Sequence, residues 1–129
     1  MTRTQGVHHI TLIVSDLRVS KKFYQNVCGM DIIFDEEDVC GLTDGSFSLW
    51  LAHSKESDLG KTIFNPETTG LNHWSFRVDT PEELKEIEAH LKELEIEMED
   101  GSITDDDYGG KAIFTKDPDG MKVEFHLQE

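Results

Sequence analysis

At 129 residues the chain has the length of one domain with room for a real core. Asp and Glu number 27 against 12 Lys and Arg, a formal charge of −15, which repels phosphate backbones and anionic membranes and argues against nucleic-acid and membrane partners. No run approaches transmembrane length and Met1-Thr2-Arg3-Thr4-Gln5 lacks a signal-peptide core, so the expectation is a cytoplasmic protein. Cys28 and Cys40 are too few for a disulfide framework; reduced thiols are expected, with a Cys28–Cys40 bridge as the alternative.

From the N-terminus, Gly6 to Val14 alternates with the period of a strand. Ile10, Leu12 and Val14 fall on one face, His9, Thr11 and Ile13 on the other. Ser15 and Asp16 offer capping oxygens to a helix over Leu17 to Val27, where Phe23, Tyr24 and Val27 take buried spacing and Gly29 supplies the stop. Short strands follow at 31–34 and 39–42 around an acidic turn. Asp44-Gly45 marks a hairpin turn into a second alternating run, Ser46 to Ala52. There Phe47, Leu49 and Leu51 take one face, and Ser46, Ser48, Trp50 and Ala52 the other. Residues 54–69 lose periodicity and read as a linker, with Ile63-Phe64 as a docking or lid segment.

A second opening strand is expected over Gly70 to Val78. Its Gly70-Leu71-Asn72-His73 echoes Gly6-Val7-His8-His9, and both histidines stand at the fourth position. Thr80-Pro81-Glu82-Glu83 is a capping box with proline at the first helical position, opening a helix whose buried stripe is Leu84, Ile87, Leu91 and Leu94. Glu95 to Glu99 stands at the same offset from Asp31 to Asp35 as His73 from His9, which predicts a strand there. Ser102 to Gly110 reads as an acidic loop containing Tyr108, Lys111 to Lys116 as a strand, Asp117-Pro118-Asp119-Gly120 as a turn, and Met121 to Leu127 as the last strand. Each half is thus strand, helix, strand, strand, strand. The fold expected is α+β, with two tandem βαβββ modules at about 6–53 and 70–128 forming a cupped mixed sheet within one domain, 1–129.

Parity carries the site. His9 and Thr11, then His73, Ser75 and Arg77, oppose the apolar faces of their strands, and Lys122, Glu124 and His126 oppose Val123, Phe125 and Leu127. His9, His73 and Glu124 therefore fall on one concave face. Two imidazoles and one carboxylate with open positions suit a divalent first-row ion. A lone strand histidine is more often structural, but the shared register and Glu124 favour ligation. Trp50, Arg77, Lys122 and Ser75 are the candidate substrate contacts, with salt bridges to the many acids as the plainer role for Arg77 and Lys122. His53, His90 and His126 read as surface or rim residues.

The run Gly6-Val7-His8-His9-Ile10-Thr11-Leu12-Ile13-Val14-Ser15-Asp16-Leu17, with Phe23-Tyr24 and Gly29-Met30, resembles the opening of the vicinal oxygen chelate superfamily. Asn72-His73, Asp117-Pro118-Asp119-Gly120 and Val123-Glu124 are similar to its second-half signals, so the resemblance covers almost the whole chain. That group includes glyoxalase I, extradiol dioxygenases, fosfomycin-resistance transferases and bleomycin-binding proteins. The resemblance implies paired βαβββ modules, a homodimer, and one divalent metal (Fe, Mn, Zn or Ni) held by His9, His73 and Glu124 and chelated by two oxygens of a small-molecule substrate. Glyoxalase I adds a Glu on the last strand of the first module. Here Trp50 or Leu49 stands there, and neither can ligate, which weighs against a lactoylglutathione lyase. Thr11 matches a Thr used by fosfomycin-type transferases, but the acidic stretch Ile103 to Tyr108 replaces their basic and potassium-binding loop and disfavours fosfomycin. Extradiol dioxygenases need proton-transfer groups, for which Tyr108, His53 and His126 are the candidates.

The expected function is a metal-dependent lyase or dioxygenase with an open, three-ligand site. The alternative is a metal-free binder of the bleomycin-resistance type, against which the intact His/His/Glu set argues. A regulator that kept the site by descent is a third reading.

Overall fold

Alternation over the first opening segment becomes strand β1, His9–Val14, whose Leu12 and Val14 are buried while His9, Thr11 and Ile13 are exposed. The computed structural model describes residues 1–55 and 64–128. Ile63 and the middle of the expected linker lie outside them. The chain divides into two compact units, Met1–Thr62 and Ile63–Glu129.

In the first unit, helix α1 spans Leu17–Asn26. It starts where Asp16, in extended backbone, accepts hydrogen bonds from the Arg18 and Val19 amides, the geometry of an N-cap. It stops where Gly29, at φ 68°, turns the chain back so that the Met30 amide reaches the Tyr24 carbonyl at 3.1 Å. Strands β2 (Asp31–Asp35), β3 (Val39–Thr43) and β4 (Ser48–His53) follow. Asp44 ties the β3–β4 turn by accepting from the Ser46 and Phe47 amides. The sheet order is β1-β4-β3-β2, with β1 parallel to β4 and the other pairs antiparallel. A parallel partner for β1 requires a crossover, and α1 is part of it, packing on β3 and β4. Tyr24, Met30, Leu42, Leu49 and Leu51 are essentially inaccessible, the core of this unit. Cys28 and Cys40 are not joined in a disulfide. Burial, then the charge of Asp35, pushes the Cys40 thiol above its ordinary pKa.

The second unit repeats the plan. Strand β5 is Trp74–Val78, helix α2 is Pro81–Glu93, and β6 (Thr104–Asp105), β7 (Gly110–Lys116) and β8 (Lys122–Gln128) complete a sheet of order β5-β8-β7-β6. Again the opening strand is parallel to the last and the other pairs are antiparallel. The capping box forms as expected: the Glu83 amide donates to Thr80 Oγ1 at 3.2 Å, and the Thr80 amide to Glu83 Oε2 at 3.3 Å. Helix α2 packs on β5, β7 and β8, burying Leu84 and Leu91. At the β7–β8 turn, the nearly buried Asp117 carboxylate accepts from the Asp119 and Met121 amides, both at 2.9 Å.

Three expectations are corrected. The second opening strand begins at Trp74, so Gly70 to His73 precede it as irregular chain, with Gly70 at φ 135°. Leu94 is the C-cap of α2, beyond the last helical residue Glu93, and is 41% exposed instead of joining the buried stripe. The stretch Glu95 to Glu99 is not a strand. Glu95 adopts φ 59°, the Ile96 amide folds back to the Leu91 carbonyl, and the Glu97 carbonyl accepts from the Thr115 hydroxyl at 2.7 Å instead of joining a ladder. A 3₁₀ turn follows at Glu99–Gly101, and the missing strand is the two-residue β6, inside the stretch expected to be loop. No helix among the described residues is long and apolar enough to cross a membrane.

Candidate functional site

Register fixes which side chains share a face. Glu124 stands beside Ser75 on β5 and Phe114 on β7, and His126 beside Arg77 and Ala112. Cross-strand neighbours point to the same side of a sheet, so Ser75, Arg77, Phe114, Lys122, Glu124 and His126 share one face. The opposite face carries Trp74, Phe76, Val78, Val123, Phe125 and Leu127, all buried. Turning those apolar groups inward forces Glu124 to the other side, and it is only 7% exposed there.

A buried carboxylate requires partners, and Glu124 has two. Its Oε1 lies 3.2 Å from His73 Nε2 and its Oε2 lies 3.0 Å from His126 Nδ1. On the far side of the His73 ring, Nδ1 is 2.6 Å from Asn72 Oδ1, and the Asn72 amide nitrogen donates to the Pro66 carbonyl at 2.9 Å. That second bond orients the amide, leaving its oxygen toward the ring, so His73 Nδ1 carries the proton. In neutral imidazole Nε2 then presents a lone pair, and it faces a carboxylate oxygen. Two acceptors this close need a cation between them, either a proton on the ring or a metal ion. Ligand atoms bound to one ion at about 2.0–2.2 Å each can stand about this far apart, so the donor set fits a divalent metal. The Phe114 ring meets His73 edge-on at 5.4 Å and holds its plane.

His9 belongs to the first unit. Its Nδ1 lies 2.9 Å from Nδ1 of His8, with the two rings edge-on, so one ring donates and the other accepts. That leaves Nε2 of His9 outside the pair. Thr11 is paired in register with Trp50. Trp50 lies flat over Gly41, where an added Cβ would come within 2.9 Å of the indole, and tilts against Phe34 at 5.6 Å. Of the two residues weighed for a fourth ligand, Trp50 is an indole packed on a glycine and Leu49 is fully buried. Among the described residues no group of three or more His, Cys, Asp or Glu side chains is clustered as a ready metal cage. His73 and Glu124 are the candidate ligands that the structure brings into contact.

Other expected site residues are more dispersed. Arg77 is 89% exposed at its side chain and donates to Asp79 at 2.8 Å, the plainer ion-pair role. Lys122 pairs with Glu99 at 3.1 Å and sits 4.5 Å above the Phe114 ring, a cation–π contact. Tyr108 is 87% exposed. His53 Nδ1 is 2.9 Å from the Ser54 carbonyl, which can only accept, so the ring donates there. A cleft of about 520 Å³ opens beside Glu124, lined by Ser75, Arg77, Asp79, His126 and Gln128 among others.

Sequence reasoning missed Phe114, Gln128 and Asp106. Continuing the β8 parity by two residues would have found Gln128, whose Oε1 accepts from His126 Nε2 at 3.1 Å. Phe114 and Asp106 depend on the β7 register, for which the sequence carries no marker. The Gln128 and then the Glu124 hydrogen bonds favour the charged form of His126 and raise its pKa. The Gly110 and Tyr108 amides donate to Asp106 and lower its pKa.

A family model described as the Glyoxalase/Bleomycin resistance protein/Dioxygenase superfamily matches residues 6–125. The chain is 32% identical over 125 residues to the metallothiol transferase FosB of Lysinibacillus sphaericus, covering 95% of this chain and 82% of that protein. Among solved structures, a glyoxalase family protein from Enterococcus faecalis superposes with TM-score 0.77 at 28% identity, covering 95% of this chain and 97% of the other. A lactoylglutathione lyase from Agrobacterium tumefaciens superposes with TM-score 0.76 at 22% identity, covering 98% and 96%, a likeness of fold.

Proposed function

Since the chain belongs to the Glyoxalase/Bleomycin resistance protein/Dioxygenase superfamily, we propose that it is a divalent-metal-dependent enzyme acting on a small substrate that chelates through adjacent oxygens. His9, His73 and Glu124 are the proposed ligands. The observation that carries this reading is the 3.2 Å approach of His73 Nε2 to Glu124 Oε1, with Asn72 holding the proton on the opposite ring nitrogen. When bound, the ion would supply Lewis acidity toward the substrate oxygens. The chain's own residues do the rest. Glu124 contributes a carboxylate shielded from water, and Asn72 keeps His73 in the ligating tautomer. Phe114 is an apolar wall beside His73, Trp50 is proposed as an apolar substrate contact, and Ser75 and Lys122 are proposed polar contacts on the Glu124 face. Arg77, paired with Asp79, is the proposed rim contact for an anionic substrate group, and Thr11 and Tyr108 are the proposed hydroxyls for hydrogen bonding and proton transfer.

Elemental analysis of untagged protein tests the site. About one equivalent of divalent metal is expected in the wild type and none in His73→Ala; one full equivalent in the variant would sink the assignment. A second reading concerns the reaction. The relative named as a metallothiol transferase supports addition of a thiol to a small electrophile, in preference to lyase or dioxygenase chemistry. The acidic 103–108 stretch still departs from the fosfomycin-type loop, so the electrophile is proposed to differ from fosfomycin. Thiol consumption with a panel of small epoxides, with and without chelator, tests this reading.

A further inference from the structure

Glu124, one of the ligands proposed above, is held from behind by hydrogen bonds that run through His126 to Gln128, whose amide nitrogen donates to the Tyr108 carbonyl of the β6–β7 turn at 3.3 Å. Asp106 Oδ1 accepts from the Tyr108 and Gly110 amides at 2.7 and 2.8 Å, which fixes the carboxylate against the turn. Its Oδ2 lies 3.6 Å from His126 Nε2, and Gln128 Oε1 lies 3.1 Å from the same nitrogen. Gly110 makes room for this meeting. A Cβ there would stand 3.0 Å from His126 Nε2 and 2.7 Å from Asp106 Oδ2. The opposite ring nitrogen, Nδ1, lies 3.0 Å from Glu124 Oε2. An imidazole clamped at Nε2 cannot swing, so its Nδ1–H aims at one oxygen of Glu124 and leaves the other turned to His73.

We propose that His126 is a positioning residue for the metal site: clamped by Gln128 and Asp106, it donates to Glu124 Oε2 and so presents Oε1, alone, beside His73 Nε2. A carboxylate free to rotate about its last bond would offer either oxygen, or both, and would bind an ion in several geometries. One held at Oε2 offers a single preorganised donor. His73 is held the same way by Asn72, so each of the two ligands has its orientation set by a neighbour two residues or fewer away in sequence. This inference rests on the metal reading given above, and the experiment separates the two.

Metal-free full-length protein is titrated calorimetrically with Mn²⁺, and the absorption spectrum of the Co²⁺-loaded protein is recorded. The proteins compared are wild type, His126→Leu, His126→Asn, Gln128→Leu and Glu124→Ala. Losing the partner of a ligand typically costs about 10–100-fold in metal affinity. His126→Leu should therefore bind one Mn²⁺ that much more weakly and show an altered Co²⁺ spectrum. His126→Asn, whose amide places a donor near the position of Nδ1, should recover most of the affinity and the spectrum. Gln128→Leu should weaken binding in the same direction by less, and serves if His126→Leu fails to fold. Wild-type affinity and spectrum in His126→Leu, or no recovery in His126→Asn, would overturn the positioning role while Glu124→Ala still loses the ion. No Mn²⁺ uptake by the wild type, or unchanged uptake by Glu124→Ala, would overturn the metal reading and this one with it.

Discussion

Asp106 shows how one side chain couples turn geometry to acidity. Its carboxylate accepts from the Gly110 and Tyr108 amides, and these bonds hold its pKa below the ordinary value near 3.8. A depressed folded-state pKa means stability that is present above the unfolded value and lost as pH falls through the folded one. In thermal melts from pH 6 downward, Asp106→Asn should be less stable than wild type near neutrality. The gap should close below about pH 4; a gap independent of pH would remove the charge from the explanation. At this scale the sequence was informative about the direction of Glu124, because alternation fixes which way a strand residue points; His73 was marked by its echo of His9 but lies just before β5, where alternation does not reach. The sequence was silent about Asn72 as a tautomer lock and about Phe114 against the His73 ring. Those contacts depend on a backbone turn before β5 and on the β7 register, and neither leaves a periodic trace.

Among elements, α2 is the one whose start is written most fully in the sequence. Thr80, Pro81 and Glu83 form the capping box, and acidic Glu82 and Glu83 sit in the first turn with His90 and Lys92 in the last, both favourable to the helix dipole. Thr80→Ala should cost about 1 kcal/mol, the usual loss for an N-cap oxygen, seen as a lowered denaturant midpoint with an unchanged slope. A slope change would instead mean that the substitution disturbs more than the cap. The segment after α2 is where reading by repetition failed. The 95–99 stretch stands at the offset of its counterpart at 31–35 and likewise begins and ends on an acid, yet Glu95 takes a left-handed backbone and the chain does not enter the sheet there. A repeat in sequence records ancestry of a segment; hydrogen-bond partners decide whether it is a strand. The replacement, β6, is two residues long, too short for any periodicity to register.

At the scale of the whole molecule, the formal charge of −15 dominates the electrostatics. The exposed pairs Arg77–Asp79 and Lys111–Asp105 are worth little each, about 0–1 kcal/mol, and salt weakens them. Self-repulsion among 27 acids is screened by the same salt. Repulsion should win, so the melting temperature should rise as NaCl is raised from about 20 to about 200 mM, a range over which the screening length falls to about 7 Å. A fall would mean the ion pairs outweigh it. The α+β class and the tandem βαβββ order were legible because both units use the same strand order. Beyond that order, one more property belongs to β8. Its alternation gives the strand a phase, with Glu124 and His126 on one side and Val123 and Phe125 on the other. A one-residue slip of the β7–β8 pairing, as when the Asp117–Gly120 turn gains a residue but keeps its geometry, would invert that phase and exchange carboxylate for phenyl along the strand, while a slip of two would restore it. The turn is therefore where the register of β8 is set, and with it the side on which the carboxylate stands.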